Sequence, residues 1–497
     1  MFTSVCWVPR GKADPTPTQH ELTPEEVAQL KRKVAEAQAE EEDAPQMRVE
    51  VEKERVPKKS SADEDEDDDV VKLYGLKDYD DEPAEEGFLD PAKDPYLTKK
   101  DDEEDEDEVE DLRILPTDNL LLAAHSLAAV RNLIEVKIFE EKEKRLFTHH
   151  EFEVSAPPIC VEWVDVHPGQ PDRPGHVCAI GTMHPDIELW NLNVLEPFEP
   201  VGRLGGILNM PAAPEAAEGD EPKSKKDRLK EKKKLKKKMA KRPPEFLADS
   251  HHDSVLSLSW NRLQRNVLAS GSADRKVKLW DLPTSRCLMT LSHHNAEVST
   301  LQWHPQQGNV MATGAFDGSV MVLDGTAGQQ QQLSFAAGAN VEKVAWHTGD
   351  PCLLLASTHD GNVFCFDIRR ASAGTPGVPI WQINAHPQSS CNVIAQNPRM
   401  PRLLVTGGDD STVKVWDLSG PLPRHELSSD PHVGKILTAS FMDDDARLLA
   451  VGGTNDLKVY NTADWSPVKR WNSEILAAQA AATAATATAT ATAPGHQ

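Results

Sequence analysis

Runs of alternating apolar and polar residues recur along the chain and end on tryptophan: VLSLSW (Val255–Trp260), VSTLQW (Val298–Trp303) and VEKVAW (Val341–Trp346). A period of two is what a half-buried β-strand requires, so each run reads as a strand. Trp260, Trp303 and Trp346 stand 43 residues apart, and the same apolar-x-Trp ending appears at Trp163 (ICVEW) and Trp7 (TSVCW). Further along each unit comes a second aromatic or apolar residue followed by a polar one: LWD at Trp280, VLD at Leu323, CFD at Phe366 and WDL at Trp416. Weaker copies are LWN at Trp190, VYN at Tyr460 and IFE at Phe139. A unit of about 43 residues built from short strands cannot bury its faces alone, and a ring of such units is a β-propeller.

Strands of this unit can be traced at 159–205, 252–292, 296–335, 340–384, 389–429 and 433–471, which makes six copies. The seventh is divided. Residues 118–154 supply three strands and no inner one, whereas residues 1–9 supply an inner strand with no followers. Joined, they predict an all-β, seven-bladed propeller over 119–472, closed by the N-terminal strand of blade 1. Setting aside 10–118, 206–246 and 473–497 leaves 322 residues, or 46 per blade, close to the roughly 40 to 45 of such repeats. The long closing loop is tolerable, because each doubling of loop length costs only about 0.6 kcal/mol.

Charge separates the other segments from the repeats. The formal net charge is −26 over 497 residues; residues 1–111 hold 37 acids against 15 bases, and the rest hold 43 against 39. The clusters AEEED (39–43), DEDEDDD (63–69) and DDEEDEDEVED (101–111) repel themselves and lack core residues, which predicts a largely disordered acidic insertion at 10–118. Within it, Thr23 and Glu26 form a capping box with Pro24 at the first helical position, predicting a short helix near 24–41. The opposite charge fills 223–242, where 13 bases face only Asp227 and Glu231, inside an expected disordered insertion at 206–246. The Ala/Thr-rich tail, 473–497, is of low complexity and expected to be disordered. No run approaches the roughly 18 apolar residues of a membrane span. Seven cysteines without a CxxC pair argue against a zinc site or a disulfide framework.

The copies resemble WD40 repeats. Trp7, Trp163, Trp260, Trp303 and Trp346, with the acidic arm and the lysine-rich segment in this order, closely resemble the periodic tryptophan protein 1 family over nearly the whole chain. A WD40 propeller implies hydrogen-bonded tetrads that tie the loop before an inner strand to the turn after the second strand and to the third-strand tryptophan. The matching sets are His252, Ser270, Asp274 and Trp280; His386, Thr406, Asp410 and Trp416; and His294, Thr313 and Asp317, where Leu323 replaces the tryptophan. Blades one, two, five and seven lack the full set and are expected to be held mainly by packing.

Ser, His and Asp together could instead form a nucleophilic triad. Recurrence favours the clamp, since catalysis needs one such set and a clamp is needed in each blade. The pairs His149/His150, His251/His252 and His293/His294 are not expected to bind metal, because neighbours on a strand point to opposite faces. No phosphate-binding loop or dinucleotide fingerprint stands in a strand-to-helix context. The tryptophans could stack on bases, but their fixed place in successive inner strands assigns them to the core. The expectation is no enzyme, no cofactor, no metal and no small-molecule substrate.

Lys225, Lys226, Lys232, Lys233, Lys234, Lys236, Lys237 and Lys238 form a dense cationic segment that would bind a polyphosphate chain by releasing counterions, without reading sequence. It also resembles a nuclear or nucleolar targeting signal. Ser60 and Ser61 each precede an acid at the third following position, which suits an acid-directed kinase. Leu73, Tyr74, Leu76, Tyr79, Tyr96 and Leu97 are candidate docking residues among the acids. The family resemblance implies a nuclear, nucleolar scaffold that assists assembly of large-subunit precursors and rRNA processing, with ribosome-assembly proteins and pre-rRNA as partners and no membrane. The alternative is a chromatin-associated regulator of rRNA gene transcription, reading a histone tail on a propeller face.

Overall fold

The computed structural model describes residues 1–19, 112–127, 131–207, 246–247, 249–324, 332–371 and 376–473. The expected helix at 24–41, the docking residues of the arm, Ser60, Ser61, the lysines of 223–242 and residues 474–497 lie outside the described residues.

Seven small antiparallel sheets form the blades of a propeller. Blade 1 joins Phe2–Trp7, as its inner strand, to Asn119–Leu127, Arg131–Glu140 and Arg145–Glu153. Blade 2 runs from Pro158–His167 to the short outer strand Gly202–Leu204. Blades 3 to 6 are four-stranded meanders with inner strands Val255–Trp260, Val298–Trp303, Val341–Trp346 and Cys391–Gln396. Blade 7 has three strands, Ile436–Phe441, Leu448–Gly453 and Leu457–Asn461, and residues 466–473 are helical at the point in the chain where an outer strand would follow.

Burial explains which residues suit which strand. Second strands such as Val267–Ser272 and Leu403–Gly408 are buried at every position, because the neighbouring blades cover both faces of the sheet. At the rim, Pro379–Asn384 alternates between half-buried and exposed. Gly314 and Gly407 lie in second strands where a Cβ would stand 2.6 Å from a side-chain carbon of Val341 or Ile436, the first residue of the next inner strand. That close approach of the next blade leaves room only for glycine. All seven pairs of inner and second strands shift register at the start of the inner strand, at Phe2/Ser4, Pro158/Cys160, Val255/Ser257 and their four counterparts.

The ring closes between blades 7 and 1. Phe2, Val5 and Trp7 share a core with Met442, Leu448, Ala450 and Leu457, and Trp7 Nε1 donates to the Ser440 carbonyl at 2.9 Å. The acidic excursion from blade 1 is clasped at its base: Ile114 N donates to Pro15 O at 3.0 Å, and Thr18–Gln19 pairs in parallel with Val194–Leu195. Because strands alternate in direction, inner-to-second connections lie on the face where the tryptophans end, here the lower face. Connections from one blade to the next lie on the upper face. The acidic excursion is thus tethered at the lower face. The lysine segment is tethered at the upper face, where Ile207 and Phe246 form a bridge.

Candidate functional site

The polar clusters singled out in the sequence lie on the upper face, where the loop before an inner strand meets the turn between second and third strands. In blade 6 one chain of bonds joins four residues. Trp416 Nε1 donates to Thr406 Oγ1 (3.0 Å), Thr406 Oγ1 lies 3.0 Å from His386 Nε2, and His386 Nδ1 lies 2.9 Å from an Asp410 oxygen. Burial lowers the His386 pKa, so a neutral ring accepts from the threonine and donates to the carboxylate. Burial opposes ionisation of Asp410, but the bonds from His386 and Thr412 outweigh it and hold its carboxyl below the usual range.

In blade 3 the histidine is His251, which corrects the assignment to His252. His251 Nε2 lies 2.7 Å from Ser270 Oγ, its Nδ1 lies 3.0 Å from Asp274 Oδ2, and Trp280 Nε1 donates to Ser270 Oγ at 2.8 Å. His252 gives Asp274 only its backbone N–H (3.1 Å), and its ring stacks on Phe246 with centroids 4.7 Å apart. Only one ring of the adjacent pair enters the seam: His251 is fully buried, and its exposed neighbour turns outward to the base of the lysine segment.

Blade 4 solves the loss of its tryptophan with a second histidine. His294 Nε2 lies 2.9 Å from Thr313 Oγ1, and its Nδ1 reaches Ser319 Oγ at 2.9 Å and Asp317 at 3.6 Å. Leu323 has no donor, and His293 Nε2, 3.1 Å from Thr313 Oγ1, stands in for the missing indole N–H. Burial, with His294 alongside, brings the His293 pKa down to about 3. Ser270, Thr313 and Thr406 are fully buried, so no substrate reaches their hydroxyls.

Blades 1 and 2, expected to be held mainly by packing, also carry buried polar contacts. In blade 2, Trp190 Nε1 donates to Glu188 Oε2 (3.0 Å) and Ser155 Oγ donates to Glu188 Oε1 (2.6 Å), so one buried carboxylate joins the entering loop to the third strand. In blade 1, Glu135 lies 2.7 Å from His125 Nδ1 and 2.6 Å from Lys137 Nζ. At His149/His150 the expectation that adjacent histidines diverge fails. The Nδ1 atoms of His149 and His150 are 2.8 Å apart, because the pairing jumps from Val136↔His150 to Lys137↔Thr148, and the bulge turns both rings to one side. Among the described residues no group of three or more His, Cys, Asp or Glu is placed to hold a metal ion.

The WD domain, G-beta repeat family matches residues 245–281, 285–324 and 377–417, which are the blades that carry the histidine clusters. An uncharacterized WD repeat-containing protein of Schizosaccharomyces pombe is 33% identical, covering 93% of this chain and 89% of its own. Periodic tryptophan protein 1 of Saccharomyces cerevisiae is 30% identical over 97% of this chain and 92% of its own length, and the Drosophila melanogaster homolog is 29% identical over 90% and 91%. The chain belongs to the periodic tryptophan protein 1 family.

In this member of the periodic tryptophan protein 1 family, three of the recurring tryptophans stitch a blade to the one before it, whereas the indoles of Trp163 and Trp260 donate within their own blades, to His176 Nδ1 and Arg265 O. Trp303 Nε1 donates to Ser259 O (3.1 Å), Trp346 Nε1 to Gln302 O (3.2 Å) and Trp7 Nε1 to Ser440 O, in each case the residue preceding the matching aromatic of the previous blade. Side chains on the previous strand also serve the free backbone edge of the next one. Ser4 accepts from Val161 N, Ser257 from Leu301 N and Thr300 from Val344 N, at 3.2 to 3.3 Å. Bulge residues return the favour, Thr3 donating to Pro158 O and Asn392 to Ile436 O. Blade 5 places Lys343 and Ala345 at the accepting positions, and neither side chain can accept. The seam to blade 6 relies instead on Thr348, which bonds Gln396 and Asn397. On the upper face this seam opens into a cleft of about 630 Å³ lined by His359, Asp360, Gln388, Ser389, Asp409 and Asp410.

Proposed function

We propose that this WD-repeat scaffold is non-enzymatic and serves ribosome biogenesis in the nucleolus, assisting assembly and rRNA processing of large-subunit precursors. The observation that carries this reading is the placement of its charged segments: a closed propeller tethers a lysine segment at its upper face and an acidic segment at its lower face. The first suits the phosphate backbone of pre-rRNA, which it would hold by counterion release. The second suits basic assembly proteins. The two segments leave the ring at separate connections, so one molecule carries a site of each charge, and family membership supports the same reading.

The test replaces 208–245 with a short linker, a change the ring accommodates because Ile207 and Phe246 already meet. Crosslinking to RNA should fall, and the salt dependence of RNA binding should flatten; an unchanged salt slope rejects the RNA role. RNase should release the full-length protein from nucleoli. Release by DNase instead would favour the chromatin reading, with a histone tail on the propeller face.

A further inference from the structure

The helix at 466–473 takes the place of an outer strand in blade 7, and it begins with Ser466-Pro467-Val468-Lys469. Trp465 has extended backbone angles, and its carbonyl accepts the first helical bond, from Lys469 N at 2.9 Å. Ser466 is therefore the first helical residue and Pro467 the second, positions where proline costs nothing because no intrahelical N–H is required. Ser466 is exposed, whereas Pro467, Val468 and Trp471 are buried. Trp471 lies under the Arg402 guanidinium, 4.4 Å from ring centroid to Cζ, and shares a core with Val413 and Val415 of blade 6 and Leu449 and Val451 of blade 7. The helix is a strap over the seam between these blades.

We propose that Ser466 is a phosphorylation site for a proline-directed serine kinase that reads a basic residue three positions on, and that its phosphate fastens the strap. In the transfer, Ser466 Oγ attacks the γ-phosphorus of ATP and forms the ester bond. The bond to the β–γ bridging oxygen breaks, ADP leaves, and the hydroxyl proton passes to the kinase base. The kinase must read Pro467 in an extended chain, but Pro467 is helical and buried on the inner face of the docked strap. The reaction therefore proceeds only from the undocked helix.

Once formed, the phosphate sits at the first turn of the helix, where backbone N–H groups lack partners and the dipole favours negative charge. Lys469 lies one turn further on the same side. Lys144 and Lys469 already approach the neighbouring Asp464, at 3.0 and 4.0 Å. Asp464 opposes the phosphate, and the two lysines with the helix start outweigh it.

The test uses the full-length protein, Mg-ATP and a kinase of this class, with sites mapped by mass spectrometry. Phosphate is expected on Ser466 and should disappear in Ser466→Ala; Lys469→Ala should slow its appearance several-fold. Trp471→Ala, or the milder Arg402→Gln should the first fail to fold, should speed it several-fold by undocking the strap. The phosphorylated protein should melt at a higher temperature than the unmodified one. A Ser466 left unmodified in the full-length protein, while a peptide of residues 460–473 is phosphorylated, would refute the site. An unchanged rate in the undocked variants, or a lower melting temperature, would refute the strap.

Discussion

Buried imidazoles on His150, His176, His251, His304 and His386, with the half-buried His293, shape the response of this propeller to acid. Burial lowers each pKa, to about 3 for His150 and His293 and about 4 for His176. Above their ordinary value of about 6.5 they are neutral in both the folded and the unfolded chain and contribute no pH dependence. Below it the unfolded chain takes up protons that the folded chain refuses. Stability then drops by up to about 1.4 kcal/mol per pH unit for each such histidine. Asp274 adds to the loss in stronger acid: burial opposes its charge, but the bond from His251 outweighs burial and holds its carboxyl down to about 2. Its contribution is present above the ordinary aspartate value and is lost as the pH falls toward 2. Urea midpoints followed from about pH 7.5 to 4 should therefore fall steeply, and His150→Gln should reduce the slope by one histidine's share. A flat profile would show that these rings accept protons in the folded state without penalty.

At the scale of the strand and the blade, the contribution of a tryptophan that donates across a seam can be measured by substitution. Phe441 occupies the corresponding place in blade 7, so a phenyl ring fits there. Trp303→Phe keeps a six-membered aromatic ring but removes the five-membered half of the indole together with the N–H that reaches Ser259 O, which should cost about 2 to 3 kcal/mol in denaturant unfolding. Trp346→Phe acts at another seam, and the two losses should be nearly additive. A loss above about 3 kcal/mol for either would assign its role to core volume. These inner strands were legible because alternation and a terminal tryptophan mark both their face and their end. The stitches between blades were not, because Ser257 and Leu301 meet across 44 residues and Ser, Thr or Asn can each fill such a place. A bulge hides as a single extra residue, which is how His149 came to face the same way as His150. His251 and His252 are chemically identical, and only burial distinguishes them. Glu188 reads as an ordinary surface acid until its two oxygens are seen to join Ser155 and Trp190. The strap at 466–473 spans too few residues for a helical period to emerge, and a lone Ser-Pro reads as a turn.

For the whole molecule, the question is whether the acidic excursion is part of the ring or only hangs from it. The described contacts place the closing work in Phe2–Trp7 and in the clasp between Pro15 and Ile114. Residues 20–111 are then expected to act on stability only through the entropy of the loop they close. Replacing them with a Gly/Ser linker of about 20 residues should raise stability by about 1 kcal/mol, with a cooperative transition retained. Removing Met1–Val8 instead takes the inner strand out of blade 1, exposes Leu121 and Ala123 with the facing side chains of blade 7, and leaves the second strand with an open edge. That protein should lose its sharp melting transition and aggregate. The two deletions separate the possibilities: if shortening the excursion also abolished cooperative melting, acidic residues would have to be load-carrying members of the ring, and closure by the N-terminal strand alone would be refuted.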